Sequence, residues 1–288
     1  MESNFEKVKY FNKTFCSVIN DNYDPSIFST NKEIIKCKLE LIKEEIHELS
    51  EGINKRDFIE MLDAVLDILY VVYGFGCAVG INLDLEFSNK YKSPLICKTN
   101  FDIVKFFHHG DTPCLNFYDI NSKNESLNSF VENMQPDDPI LVMFNILLNK
   151  LQDYYELLVL ICSDLYKNNK YNMLASTLVD LLSESYKFGL CLGLVHINEA
   201  FGIVHEANMS KICKTEEDAI KTVAKYKSDA EKDPNYPYLY PDYRLTHDSK
   251  MYIVYNNDQS ENAKYAGKIL KSIYWKEPNF EDFFSSLR

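Results

Sequence analysis

Two aspartates, Asp63 and Asp67, stand inside the otherwise apolar run from Leu62 to Tyr73, and the acidic turn Glu44-Glu45-Ile46-His47-Glu48 precedes them. A carboxylate in an apolar stripe is costly unless a cation or hydrogen bonds compensate it. On a helix, Glu60, Asp63 and Asp67 fall at i, i+3 and i+7 and share one face, while Glu44, Glu45 and Glu48 form a second acidic ridge. Two such ridges packed antiparallel would make an all-oxygen cage for a hard cation, Mg²⁺ first and Mn²⁺ as its substitute. A glutamate cluster alone is usually a solvated helix face, so Asp63 and Asp67 carry the argument for chemistry.

Helical patterning supplies the elements that would position these groups. Leu39, Ile42, Ile46 and Leu49 are spaced for one apolar face, Ser29 to Glu33 carries capping chemistry, Gly52 to Asn54 ends the helix and Asp57 caps the next. A second half repeats this plan. Phe5 to Asn12 resembles Phe101 to His108, and Asp67, Leu69, Tyr73, Phe75, Gly76 and Gly80 recur as Asp180, Leu182, Tyr186, Phe188, Gly189 and Gly193. Both halves then reach Ile-Cys-Lys, at residues 96–98 and 212–214. Pro139 opens an apolar run to about Leu165, followed by a turn at Asn168-Asn169-Lys170. The expected fold is mainly α, a duplicated helical bundle fused as a pseudo-dimer. The expected divisions are residues 1–98, 99–214 and a C-terminal extension, 215–288. In that extension Thr215 to Asp218 caps a charged helix, Asp233 to Asp242 reads as an irregular Tyr/Pro loop, and Met251 to Tyr255 with Lys268 to Trp275 reads as a β-hairpin.

Composition narrows the class. A net charge of −12 without a basic run argues against nucleic acid as a partner. The apolar run from Ile68 to Ile81 is too short to span a bilayer, and the first residues are neither basic nor hydrophobic, so neither membrane nor secretion is expected. The eight cysteines include no C-x-x-C pair and read as reduced thiols of a cytoplasmic protein. His108-His109 with Cys114 is a poor zinc signature. Gly74, Gly76 and Gly80 lie within a helical pattern, where close packing explains them better than phosphate binding. Asp67 is open to a helix-bridging role, because Asp180 survives in the second half, and His205 reads equally as a packing residue or a ligand contact.

Glu44-Glu45-x-x-Glu48 followed by Glu60-x-x-Asp63, the string Asp63 to Gly74 and the segment Val204 to Lys211 together resemble the all-α nucleoside triphosphate pyrophosphohydrolases. The closest branch is the MazG-like and phosphoribosyl-ATP-pyrophosphohydrolase-like one, related to dimeric dUTPases. The resemblance implies Mg²⁺-dependent cleavage of a nucleoside triphosphate, with dUTP among the candidate substrates, to the monophosphate and pyrophosphate. It implies Glu45, Glu48, Glu60 and Asp63 as metal ligands and Glu44 with Glu45 as the catalytic carboxylates, Glu44 orienting water or adding a ligand. Lys211 would face a phosphate, with Asn208 and Ser210 hydrogen-bonding phosphate or sugar. The first half keeps the carboxylates and the second keeps Asn208 to Lys211, while Met173 and Ser176 replace Glu60 and Asp63. One composite site is therefore expected, in a monomer or a homodimer of the pseudo-dimer. Phosphoribosyl-ATP hydrolysis and a non-catalytic nucleotide-binding protein are the competing functions.

Overall fold

The computed structural model describes residues 2–91, 115, 127–163, 170–194, 196–233, 235–260 and 263–286. Its helices are α1 (Asn4–Thr14), the single turn α2 (Ile27–Thr30), α3 (Lys32–Lys55), α4 (Phe58–Val79), α5 (Leu83–Tyr91), α6 (Leu127–Glu132), α7 (Pro139–Cys162), α8 (Lys170–Cys191), α9 (Ile197–Met209), α10 (Glu216–Lys232) and α11 (Glu281–Ser286). Strands β1 (Pro241–Leu245) and β2 (Tyr252–Asn256) form an antiparallel hairpin. The protein is thus mainly α with a small C-terminal β-hairpin.

Helices α3 and α4 pack as one hairpin, α7 and α8 as another, and the two hairpins pack on each other through α3 with α7 and α4 with α8. Arg56, in the left-handed region at φ 56°, closes α3, and the Asp57 carboxylate accepts from the Ile59 and Glu60 amides to open α4. Gly52 does not end α3 as expected but lies inside it. A Cβ there would sit 3.0 Å from the Met61 backbone nitrogen and Cγ, so its role is to let the two helices approach. The Asn31 side chain makes no capping bond at the start of α3, whereas Thr215 and Asp218 form a full capping box on α10.

Helix α4 is the core element. Beyond its first turn every residue is buried except Asp63, Asp67 and Val71, which continue the line of the half-buried Glu60 along one stripe. By length and composition α4 could cross a membrane, but here its apolar faces are covered by α1, α3, α8 and α9. Across its contact with α8, the repeat mates Tyr73 and Tyr186 share a buried hydroxyl hydrogen bond of 2.9 Å. The mates Gly80 and Gly193 take left-handed φ values of 75° and 82°. The mates Gly76 and Gly189 leave room for Leu83 and Ile197, whose Cδ1 atoms would lie 2.7 and 2.3 Å from an added Cβ. Helices α3 and α7 each have 24 residues, α4 and α8 each 22, so the hairpins match in length as well as in these contacts. The segments Phe101 to His108, His108 to Cys114 and Lys92 to Leu95, and the turn at Asn168, lie outside the described residues.

The C-terminal hairpin corrects the sequence reading in part. β2 is where a strand was expected, but its partner is β1, in the segment read as irregular loop, and not Lys268 to Trp275. A tight turn makes β1 possible. Thr246 Oγ1 accepts from the Met251 amide at 3.1 Å, and Ser249 turns through φ 58°. Pro241 sits at the first strand position, where its missing N–H does least harm to the ladder. The 268–275 segment adds one bridge to β2, Tyr255 with Ile269, made by the Asn256 amide to the Lys268 carbonyl and the Leu270 amide to the Val254 carbonyl, each at 2.9 Å.

Gly80→Ala should destabilise the protein by about 2 kcal/mol or more in urea unfolding, since a left-handed Cβ is strained and would stand 2.0 Å from the Asn22 carbonyl oxygen. Unfolding at the wild-type midpoint would contradict this packing.

Candidate functional site

The exposed stripe of α4 and the acidic ridge of α3 face the same cleft, of about 290 Å³, whose lining includes Glu45, Asp67, Tyr70, Gly74, Asn208, Lys211 and Lys268. α3 and α4 come from the first half, Asn208 and Lys211 from the end of α9 and the following turn, and Lys268 from beyond β2. The short hairpin linker and the approach permitted by Gly52 set the two acidic ridges beside each other. Glu48 is close enough to Asp63 that its charge disfavours the ionised form of Asp63.

Burial and like charge raise these groups together. Asp63 is pushed up to about 6 by burial and then by Glu48, and Asp67 to about 7 by burial and then by Asp63. Glu45 is raised well above the ordinary range by burial, then by Asp67 and its neighbours on α3. Glu48 is raised by burial and by Glu44 and Asp67, and its hydrogen bond with Glu45 partly relieves it. One oxygen of Asp63 is buried without a hydrogen-bond partner.

Lysines answer this charge from the other side of the cleft. Lys211 lies near Asp67 and Glu45, and its Nζ donates to Asn208 Oδ1. Burial lowers its ammonium to about 8, against the pull of Asp67 and with repulsion from Lys271 and Lys268. Although walled by protein, it keeps contact with solvent through the cleft. Lys268 pairs with Glu44 at 2.7 Å and lies over the Tyr238 and Tyr265 rings. Burial opposes its charge, but Tyr238 and Glu44 outweigh that and hold it above the ordinary range. Lys271 sits 3.6 Å from the Trp275 ring and favours the ionised forms of Asp63 and Asp67.

Glu44, Glu45, Glu48, Asp63, Asp67, Asn208 and Lys211 are therefore brought together. Glu60 is drawn aside at the end of the ridge by Lys55, 3.0 Å away. The Ser210 hydroxyl is also engaged, donating to the Ala207 carbonyl at 2.7 Å and accepting from the Lys276 amide at 3.0 Å, which ties the C-terminal segment to α9. His205 Nδ1 lies 3.1 Å from the Tyr70 hydroxyl with the rings stacked, and burial lowers it to about 4, so it is a neutral packing partner. Among the described residues no three carboxylate, imidazole or thiol groups converge into a closed metal cage. The donors nonetheless suit a hard cation: all are oxygen, they repel one another, and one Asp63 oxygen is unsatisfied.

The family model described as phosphoribosyl-ATP pyrophosphohydrolase matches residues 8–89, spanning α1 to α5 and every carboxylate of the cleft. This part of the chain matches the MazG-like and phosphoribosyl-ATP-pyrophosphohydrolase-like branch of the all-α nucleoside triphosphate pyrophosphohydrolases that its carboxylate motifs resemble. An uncharacterized protein of Acanthamoeba polyphaga mimivirus is 34% identical over 281 residues, covering 97% of this chain and 95% of that protein. No solved structure matches. The activity is of the pyrophosphohydrolase kind, and members of the family generally use divalent metals.

The matched segment stops short of Asn208, Lys211, Lys268 and Lys271, so the basic side of the cleft comes from the rest of the chain. Lys268 and Lys271 were missed as site residues. The signal available was two lysines three apart, which share one helical face but no simple strand face.

The raised carboxylates bind protons in the folded state at pH values where the unfolded chain has released them. Their ionisation therefore opposes folding, absent below about pH 4 and growing as pH rises through about 6 and 7. Without divalent cation, Asp67→Asn should raise the melting temperature at pH 8, by several degrees, and by much less at pH 5. A melting-temperature gain that is equal at both pH values would contradict the like-charge account.

Proposed function

We propose that the chain hydrolyses nucleoside triphosphates, (d)NTP plus water giving (d)NMP plus pyrophosphate, at one composite site that uses Mg²⁺. The observation that carries this reading is Lys211 in the same cleft as Glu45 and Asp67. Water attacks the α-phosphorus, the bond from that phosphorus to the bridging oxygen breaks, and pyrophosphate leaves with the bond's electrons. A bound cation would neutralise phosphate oxygens and acidify a water molecule. Glu45, Glu48, Asp63 and Asp67 would hold it, with Glu60 able to join on leaving Lys55. Glu44, oriented by Lys268, and the Glu45–Glu48 pair are placed to accept the proton of the attacking water. Lys211, steadied by Asn208, offers a point charge to a phosphate.

The second half supports a single working site. There, Ser176 and Asp180 take the places of Asp63 and Asp67, and Lys90 from α5 bonds both, at 2.9 and 2.6 Å. Glu184 is closed by Lys187 at 2.6 Å and Lys150 at 3.6 Å. An internal salt bridge thus occupies the position where a second site would have held its ligand. We read the chain as a duplicated hairpin in which one site was kept and the other was neutralised.

Phosphoribosyl-ATP is the second substrate to weigh, because the matching family model carries that activity in its description. Pyrophosphate release should be measured with Mg²⁺ or Mn²⁺ across ribo- and deoxynucleoside triphosphates and phosphoribosyl-ATP. Glu48→Gln and Asp63→Asn should each lower turnover on the order of 100-fold or more while remaining folded. Lys211→Ala should mainly raise KM, and Lys90→Ala should leave kcat unchanged. Full turnover by the carboxylate variants, or no pyrophosphate from any of these substrates, would overturn the assignment.

A further inference from the structure

The deep end of the cleft holds a cation and an amide that the proposed hydrolysis does not use. Two helical turns beyond Asp67, roughly 10 Å along the α4 axis, Gly74 leaves a floor with no side chain. A Cβ built there would lie 3.5 Å from Lys38 Nζ, 3.8 Å from Val8 Cγ1 and 3.9 Å from Asn12 Nδ2. Three elements, α1, α3 and α4, thus converge on one spot, and Val8, Asn12, Lys38 and Gly74 all line the cleft.

Both polar groups lack a proper partner. Asn12 is 2% exposed, and its Nδ2 has no hydrogen bond except to the weakly accepting Cys77 thiol. Among the described residues no carboxylate stands beside Lys38; burial lowers its pKa, and the Cys37 and Cys77 thiols pull the other way. Those thiols are themselves pushed up by burial, Cys77 to about 12, so they stay protonated and offer no anion. The contrast with Lys268, paired with Glu44, and Lys211, held by Asn208, is direct. A buried donor without an acceptor costs folding energy unless a ligand supplies the acceptor.

Resting on the triphosphate reading above, we propose that this end of the cleft takes the nucleobase, and that Lys38 and Asn12 donate to carbonyl oxygens on its edge. The stripe of α4 orders the substrate: phosphates lie along Asp63 and Asp67, the sugar beside Val71 and Tyr70, the base over Gly74. Lys38 has donors and no acceptor, so it sets the sign of the edge. Uracil, thymine, hypoxanthine and guanine present an oxygen there. Cytosine and adenine present an amino group, which would face the ammonium donor to donor and leave both unsatisfied. A site built to hydrogen-bond a group rejects the analogue lacking it far more strongly than a missing methylene is rejected.

The test is equilibrium binding of UMP, CMP, IMP and AMP, read by calorimetry, with pyrophosphate release from the matching triphosphates as a second arm. UMP should bind at least about tenfold more tightly than CMP, and IMP than AMP. Lys38→Met, of similar length without donors, should bring each pair to within about twofold. Gly74→Ala meets only ordinary contacts and improves helix propensity, so it folds. It should nonetheless weaken UMP and IMP binding by raising the floor. Equal binding within each pair by the wild-type protein, or a preference that survives in Lys38→Met, would overturn the inference. Equal turnover of all four triphosphates would refute base selection while leaving the hydrolase reading intact. A binding preference without pyrophosphate release would do the reverse.

Discussion

The structure is organised by a conflict within α4: the helix is buried on nearly every face, yet two aspartates lie on the one stripe that reaches a cleft. Carboxylates so placed raise each other's pKa instead of ionising freely, as the values of about 6 for Asp63 and 7 for Asp67 express. Everything around the cleft answers that charge. Lysines arrive from the turn after α9 and from the segment beyond β2, and Glu44 is steadied by Lys268. An arrangement that stores like charge at the mouth of a cavity is unfavourable for the empty protein and favourable for one holding a cation and an anionic ligand. Such a conflict of local stability with site chemistry is what a functional position shows.

The second hairpin shows what the same scaffold does once that conflict is removed. Tyr73 meets Tyr186 at the contact of α4 with α8, and Gly76 and Gly189 make equivalent room for the next helix. The packing rules are shared, but the charges are not. Lys90 spans Ser176 and Asp180, and Lys150 with Lys187 flanks Glu184, so each acid finds a base within the chain. The two hairpins share packing contacts and differ in electrostatics: a hydrophobic contact needs shape on both sides, whereas an ion pair needs only the opposite sign nearby.

Local patterns made much of this legible. The apolar periodicity of α3 and α4, the Asp57 cap and the acidic ridges are short-range features, and the helices formed where they indicated. Of the aligned pairs, Tyr73 and Tyr186 bond each other, Gly76 and Gly189 each leave room for a side chain, and Gly80 and Gly193 both take left-handed φ values. Misreadings came where a residue's partner is distant in sequence. Gly52 looked like a helix end because its partner, Met61, lies on the next helix. The Lys55 that draws Glu60 aside could not be foreseen, because that pull depends on the hairpin turn. Ser210 looked like a ligand contact, yet its hydroxyl holds Lys276 through a backbone 66 residues away. Strand β1 was hidden because its Tyr/Pro composition signals loop until the Thr246 turn folds it back on β2. Lys38 carried no signal at all, since a lysine on an amphipathic helix is ordinarily a solvated one.

The account stands on a single physical claim, that the carboxylates of α3 and α4 hold protons which a divalent cation must displace. Calorimetric titration with Mn²⁺ at pH 6.5, in buffers of different ionisation enthalpy, measures those protons directly. The account predicts net proton release on binding, shrinking as the pH is raised to 8.5, and abolished with the binding itself in the Glu48→Gln, Asp63→Asn double variant. Absence of Mn²⁺ binding, or binding without proton release and unchanged in that variant, would contradict it.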